Sequence, residues 1–201
     1  MKLTLEMLKK YGACPASIER YQVAKCDTIE LAVNMMQRAK LYLWCNWIIA
    51  RVLNRENKIR YAIFAAKQVV NIFEGKHPED RRPRMTIEAA EKYINAPTYV
   101  YSAAAANVAY SAYSAYSAYA SANASADAQA AYSAYSAYAS ANAADANASA
   151  ADAYASVNAS ADAYSAYSSA NAAKEKLQRK IIAYGLTLIK RQVTPCETLN
   201  D

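Results

Sequence analysis

A chain of 201 residues with net charge +6, four cysteines and a single histidine is long enough for one good-sized domain or two small ones. Cys14, Cys26, Cys45 and Cys196 show no CxxC spacing, and His77 stands alone, which argues against a structural zinc site or a Cys/His catalytic pair. No segment approaches 18 uninterrupted apolar residues, and MKLTLEMLKKYGACP lacks a signal-peptide core, so a soluble, reduced, cytoplasmic chain without membrane contact is expected.

The charge is unevenly spread. Residues 93–173 hold Asp127, Asp145, Asp152 and Asp162 and no Lys or Arg, so that block is −4. The other 120 residues carry all 23 basic side chains against 13 acidic ones and are +10. A basic frame of this kind attracts anionic partners, and it serves equally as a solubilising surface that complements the block's carboxylates.

In chain order, residues 4–11 read as a short helix capped by Thr4 and stopped by Gly12. Pro15 opens a second helix to about Val23. Asp27 and Glu30 have capping-box spacing for a helix over 28–38. In the stretch that follows, Leu41, Trp44, Cys45, Ile48 and Val52 recur at three- and four-residue steps and form a core stripe. Burying each large member is worth about 1.5–3 kcal/mol before entropy is charged. One helix is then expected from Lys58 to Glu74, with Gly75 at its C-terminal cap. Pro83 fits the first turn of a helix running to Asn95, with Ile87, Ala90 and Ile94 inward, and Pro97 ends it.

The segment from about Tyr99 to Ala173 is a repeat. AYSAYSAYASANA stands at 112–124 and again at 131–143, a shift of 19 residues. Of the 72 residues from Ser102 to Ala173, 34 are Ala, and there is no Gly or Pro, which favours helix over the β-solenoid hinted at by ASANASADAQA. Asn, Ser and Asp clusters near 123–127, 143–147 and 158–162 are expected to break the block into helices of about 15–20 residues. Tyrosines stepping by three rotate about 60° per step, so Tyr113, Tyr116, Tyr132 and Tyr135 do not form one stripe. Two roles stay open for them: bulk that Ala lacks, or walls of a pocket whose rings stack on a base. Last, KEKLQRKIIAYGLTLIKRQ resumes an amphipathic pattern.

The expected fold is all-α, a helical bundle with the Ala/Tyr/Ser block packed on or extending it. Its parts are a basic domain over 1–97, the repeat over 98–173, a closing helix over 174–191 and a tail over 192–201.

Residues 47–97 resemble the immunity protein family, in its Imm-five-like group, including phage members with an Ala-rich second half. The specific part is Pro78, Asp80, Arg82, Pro83 and Arg84 followed by Ile87, Glu88, Ala89 and Ala90. Met85-Thr86 replaces that family's usual Lys-Ala. The resemblance implies neutralisation of an attacker in phage–bacterium conflict and carries no enzymatic activity.

No catalytic constellation is visible, so a non-enzymatic protein without a cofactor is expected. The first expectation is capture of a small anionic, nucleotide-like ligand, with Arg81, Arg82 and Arg84 on phosphate and Trp47 or Trp44, with the four tyrosines, stacking on the base. The same arginines could instead cap the helix and bridge Glu79, Asp80 and Glu88. A protein-binding inhibitor of a toxin or nuclease, and an oligomerisation module built on the repeat, are the alternatives. Direct nucleic-acid binding is not expected, because the basic residues follow no reading motif.

Overall fold

A computed structural model describes residues 1–95, 154–156, 158–160, 162–163 and 171–193. All regular structure there is helical, apart from a single antiparallel bridge between Lys2 and Thr28. The helices are α1 (Leu5–Lys10), α2 (Pro15–Ala24), α3 (Ile29–Arg38), α4 (Tyr42–Val52), α5 (Arg55–Lys67), α6 (Val70–Lys76), α7 (Arg82–Asn95) and α8 (Asn171–Val193). The fold class is all-α.

Local chemistry accounts for most boundaries. Thr4 caps α1, its hydroxyl accepting from the Met7 N–H at 3.2 Å, and Gly12 follows the helix at φ 72°. At α3 the cap is Thr28 rather than Asp27: Thr28 accepts from the Leu31 N–H at 3.2 Å. Asp27 instead gives its carbonyl to the Leu3 N–H at 3.0 Å, and Glu30 takes the amino terminus. The N-terminal residues are thereby tied to the start of α3.

The expected helix over 58–74 is two helices. Gln68 donates its side-chain amide to the Phe64 carbonyl at 3.0 Å, and the Gln68 and Val69 N–H groups close tighter three-residue turns. This bend buries both Val69 and Val70, whose side chains would point to different sides of a straight helix. Gly75 lies inside α6, which ends at Lys76, so it is not the cap.

Two apolar clusters form the interior. The larger gathers Leu3, Leu8, Val33, Cys45, Ile48, Ile49, Tyr61 and Phe73 with Ile181, Ile182, Leu188 and Ile189 of α8. The smaller joins α5 to α7 through Ile59, Ala62, Ile63, Val70, Ile87 and Ala90. Of the predicted α4 stripe, Cys45, Ile48 and Val52 are buried, whereas Leu41 and Trp44 are only half-buried. They face a cleft described below.

The described end of the Ala-rich block packs against this frame. Tyr154 leans on the smaller cluster and Ala163 on the larger. Ser156, fully buried, donates to the Ala62 carbonyl of α5 at 3.2 Å. Where a break was expected over 158–162, residues 158–160 and 162–163 are helical. Ser160 turns its hydroxyl back to the Ser156 carbonyl four residues earlier at 2.9 Å, so its polar group is satisfied within the helical stretch. The expected breaks near 123–127 and 143–147 lie outside the described residues.

α8 is seated by close approach. A Cβ at Gly185 would lie 2.6 Å from Ile49 Cγ2 and 2.8 Å from Tyr61 Cε2, so only glycine lets α8 sink between α4 and α5. Tyr61 is fully buried and donates to Asn46 Oδ1 at 3.0 Å; burial pushes its phenol well above the ordinary range and keeps it neutral. At the other end of α8, Glu175 is held down to about 2 by the nearby Tyr42 hydroxyl and by Arg179 and Lys40. The hydroxyl falls outside hydrogen-bond geometry, so the Arg179 contact at 2.8 Å and the Lys40 contact at 3.4 Å are the firmer anchors.

Ile49 and Tyr61 are both fully buried and cannot swing clear. Gly185→Ala is therefore expected to lower unfolding free energy by about 1–3 kcal/mol in denaturant titration. Gly75→Ala, which meets nothing within 4 Å on a helix, is expected to raise it by up to about 1 kcal/mol.

Candidate binding cleft

The arginine segment is the most specific motif in the sequence, and its geometry is mainly internal. Asp80 accepts from the Arg82 backbone N–H at 3.1 Å and from Arg82 Nε at 2.8 Å, so one carboxylate both caps the start of α7 and holds the first arginine. Pro83 follows in the first turn of α7, and Thr86 donates to the Arg82 carbonyl at 2.8 Å. Arg84 reaches back to α6, where Glu74 accepts from its Nε at 2.7 Å and Asn71 from its Nη2 at 2.9 Å. Glu74 takes both prongs of the guanidinium, the geometry that makes such pairs strong. Arg84 holds the Glu74 carboxyl below its ordinary value of 4.5, and the charge of exposed Arg81 adds to the effect. The motif thus ties α6 to α7.

Trp47, the other candidate ligand residue described, lies elsewhere. It lines a cleft of about 650 Å³ between α2 and the α3–α4 pair. The walls are Met35, Met36, Leu41, Trp44, Trp47 and Ile48, with Leu3 and Leu8 contributing from the amino terminus. Among the described residues none from the 71–84 segment lines it, so Trp47 and the arginines do not share a pocket. Tyr113, Tyr116, Tyr132 and Tyr135 lie outside the described residues.

α2 forms the far wall and contributes Ser17, Glu19, Arg20, Tyr21 and Val23. It has no buried residue, and both of its connections adopt left-handed backbone, Gly12 at φ 72° and Lys25 at φ 47°. Its anchors are few: the Tyr21 hydroxyl donates to the Leu3 carbonyl at 3.1 Å. Arg20 is exposed, and its Cζ lies 5.3 Å from the centre of the Trp44 ring, within cation–π range. Arg51 stands likewise over Trp47 at 5.8 Å.

Two thiols, Cys26 and Cys45, are held neutral. Burial and the Asp27 carboxylate push Cys26 up, and its thiol lies 3.2 Å from Met35 Sδ. Burial pushes Cys45 up to about 12. Among the described residues no cluster of three His, Cys, Asp or Glu side chains is placed to hold a metal ion, and no helix is long and apolar enough to cross a membrane.

Sequence reasoning singled out both tryptophans but missed Arg20, Tyr21, Met35 and Met36. The one signal available was that PASIERYQVA carries too few apolar residues in register to bury a face. Set against known protein families, curated proteins and solved structures, the chain matches none.

Because the Glu74–Arg84 pair is bidentate and only about a third exposed, Glu74→Gln is expected to lower stability by about 1 kcal/mol at neutral pH. A depressed carboxylate contributes above its unfolded value and loses that contribution as pH falls through its folded one. The deficit of the variant should therefore be full above pH 4.5 and shrink progressively below it, as pH falls through the lowered folded value, as read from denaturant midpoints across acid pH.

Proposed function

We propose that this is a non-enzymatic binding protein that neutralises a small anionic ligand by sequestering it in the α2–α4 cleft. The observation that carries the reading is that both tryptophans of the chain line one open cleft, with the Arg20 guanidinium set over one of them. A concave, mostly apolar site of several hundred Å³ with a few polar groups at one end is the usual form of a small-molecule pocket. The resemblance of residues 47–97 to immunity proteins, carried by the Asp80–Arg84 motif, is the reason to read capture as neutralisation in phage–bacterium conflict.

Nucleotide immune signals are one class of such ligand. Arg82 and Arg84 would have to leave Asp80 and Glu74 to meet phosphate, so the cleft rather than the arginine segment is the preferred site. Calorimetry against cyclic and linear nucleotides and other small anions, with tryptophan emission as a second readout, tests the reading. Trp44→Ala is expected to weaken the bound ligand at least tenfold while leaving the half-buried position's contribution to stability small. Failure of every small anion to bind or to shift tryptophan emission overturns it.

A second reading is supported by the apolar groups around the cleft. Val23 and Met35, both lining the cleft, are exposed by 81% and 41%, and Leu31 and Leu43 are exposed elsewhere on α3 and α4. Such a rim also fits an apolar segment of a protein toxin or nuclease laid into the groove. A stable complex lost on Val23→Glu would favour this reading.

A further inference from the structure

The cleft's chemistry narrows its ligand, if the cleft is the binding site as proposed above. Nucleotides need two things from a pocket: donors and acceptors that read the base edge, and cations that match a multiply charged phosphate. The described walls supply little of either. The Tyr21 hydroxyl is already given to the Leu3 carbonyl, and the Cys26 thiol faces Met35. At the α2 wall Arg20 and Glu19 stand side by side, so a polyphosphate would meet one cation and one carboxylate. A single negative charge is the most this end can balance.

Apart from the Ser17 hydroxyl, which is hydrogen-bonded with the Cys14 thiol at 3.0 Å, the remainder of the cleft is Leu, Val, Met, Ala, Ile and Trp surface. Methionines adapt their shape to irregular apolar ligands, and an indole face accepts an alkyl chain without asking for hydrogen bonds. Arg20 has no carboxylate partner among the described residues and is held over Trp44, where a head group at the mouth would find it. Val23, at the same rim, is 81% exposed and offers a further apolar contact for the chain leaving the cleft.

We infer that the cleft takes an amphipathic monoanion, a free acyl carboxylate whose chain lies on Trp44, Trp47, Met35 and Met36 and whose head group pairs with Arg20. Association is non-covalent, and an ion pair with Arg20 adds to apolar burial rather than replacing it.

The test uses the full chain, decanoate as ligand, decanol as its uncharged counterpart and adenosine monophosphate as a nucleotide. Both tryptophans line the cleft, so selectively excited tryptophan emission reports on this site, with calorimetry giving affinity. Decanoate should shift the emission and saturate, binding about tenfold tighter than decanol. Arg20→Gln, an exposed change that leaves the fold intact, should bring decanoate down to the affinity of decanol and leave decanol unmoved. Val23→Glu, also at an exposed position, should weaken decanoate more than decanol. Equal binding of decanoate and decanol, or no effect of Arg20→Gln, overturns the head-group assignment. If adenosine monophosphate binds and decanoate does not, the acyl inference falls and sequestration of a small anion stands. If none of these, nor any other small anion, moves the emission, both fall.

Discussion

The described fold depends on one close crossing. α8 lies more than a hundred residues from α4 and α5 in sequence, yet it supplies Ile181, Ile182, Leu188 and Ile189 to their shared interior. Gly185 makes this geometry available, because the two helices it touches present Ile49 and Tyr61 where a side chain would stand. The Tyr61–Asn46 hydrogen bond lies in the same interior, so the crossing fixes a polar pair as well as an apolar one. The Lys40, Glu175 and Arg179 contacts then hold the amino end of α8 at the surface. Exposed pairs of this kind contribute little energy and mainly select an orientation.

The arginine motif illustrates how a functional-looking pattern can be consumed by architecture. Three arginines around a proline, in a loop before a helix, suggest an anion site. The arrangement found satisfies two of them with carboxylates from the loop and from α6, and uses the proline to start α7. The cleft on α2–α4 owes little to net charge. Its character comes from two tryptophans, each with an arginine over its ring, and two methionines.

Helix existence was legible from periodicity and caps. Thr4, Pro15, Pro83 and the α7 residues Ile87 and Ala90 do what their spacing implied. Finer features were decided by long-range contacts that spacing cannot carry. The α3 cap is Thr28 rather than Asp27, and Glu30, which a capping box would turn back onto the helix start, pairs with the amino terminus instead. The stretch over 58–74 divides at Gln68 and Val69, where three-residue turns and the Gln68 side chain on the Phe64 carbonyl replace the regular pattern. The cleft itself was hidden for the same reason. Its lining comes from residues 3 to 48 across four helices, and Trp44 shares a helical stripe with true core residues. Only the packing of the surrounding helices separates a wall from a core.

The seating of α8 also bears on how the chain can vary. α7 ends at Asn95 and α8 begins at Asn171, so 75 residues separate the two, and part of that stretch is an internal duplication with a 19-residue shift. Where α8 docks is set by Gly185 and its neighbours in α4 and α5. None of the described residues that seat α8 or line the cleft belongs to the duplicated units at 112–124 and 131–143, which makes repeat length a poor guide to whether two such proteins share a ligand.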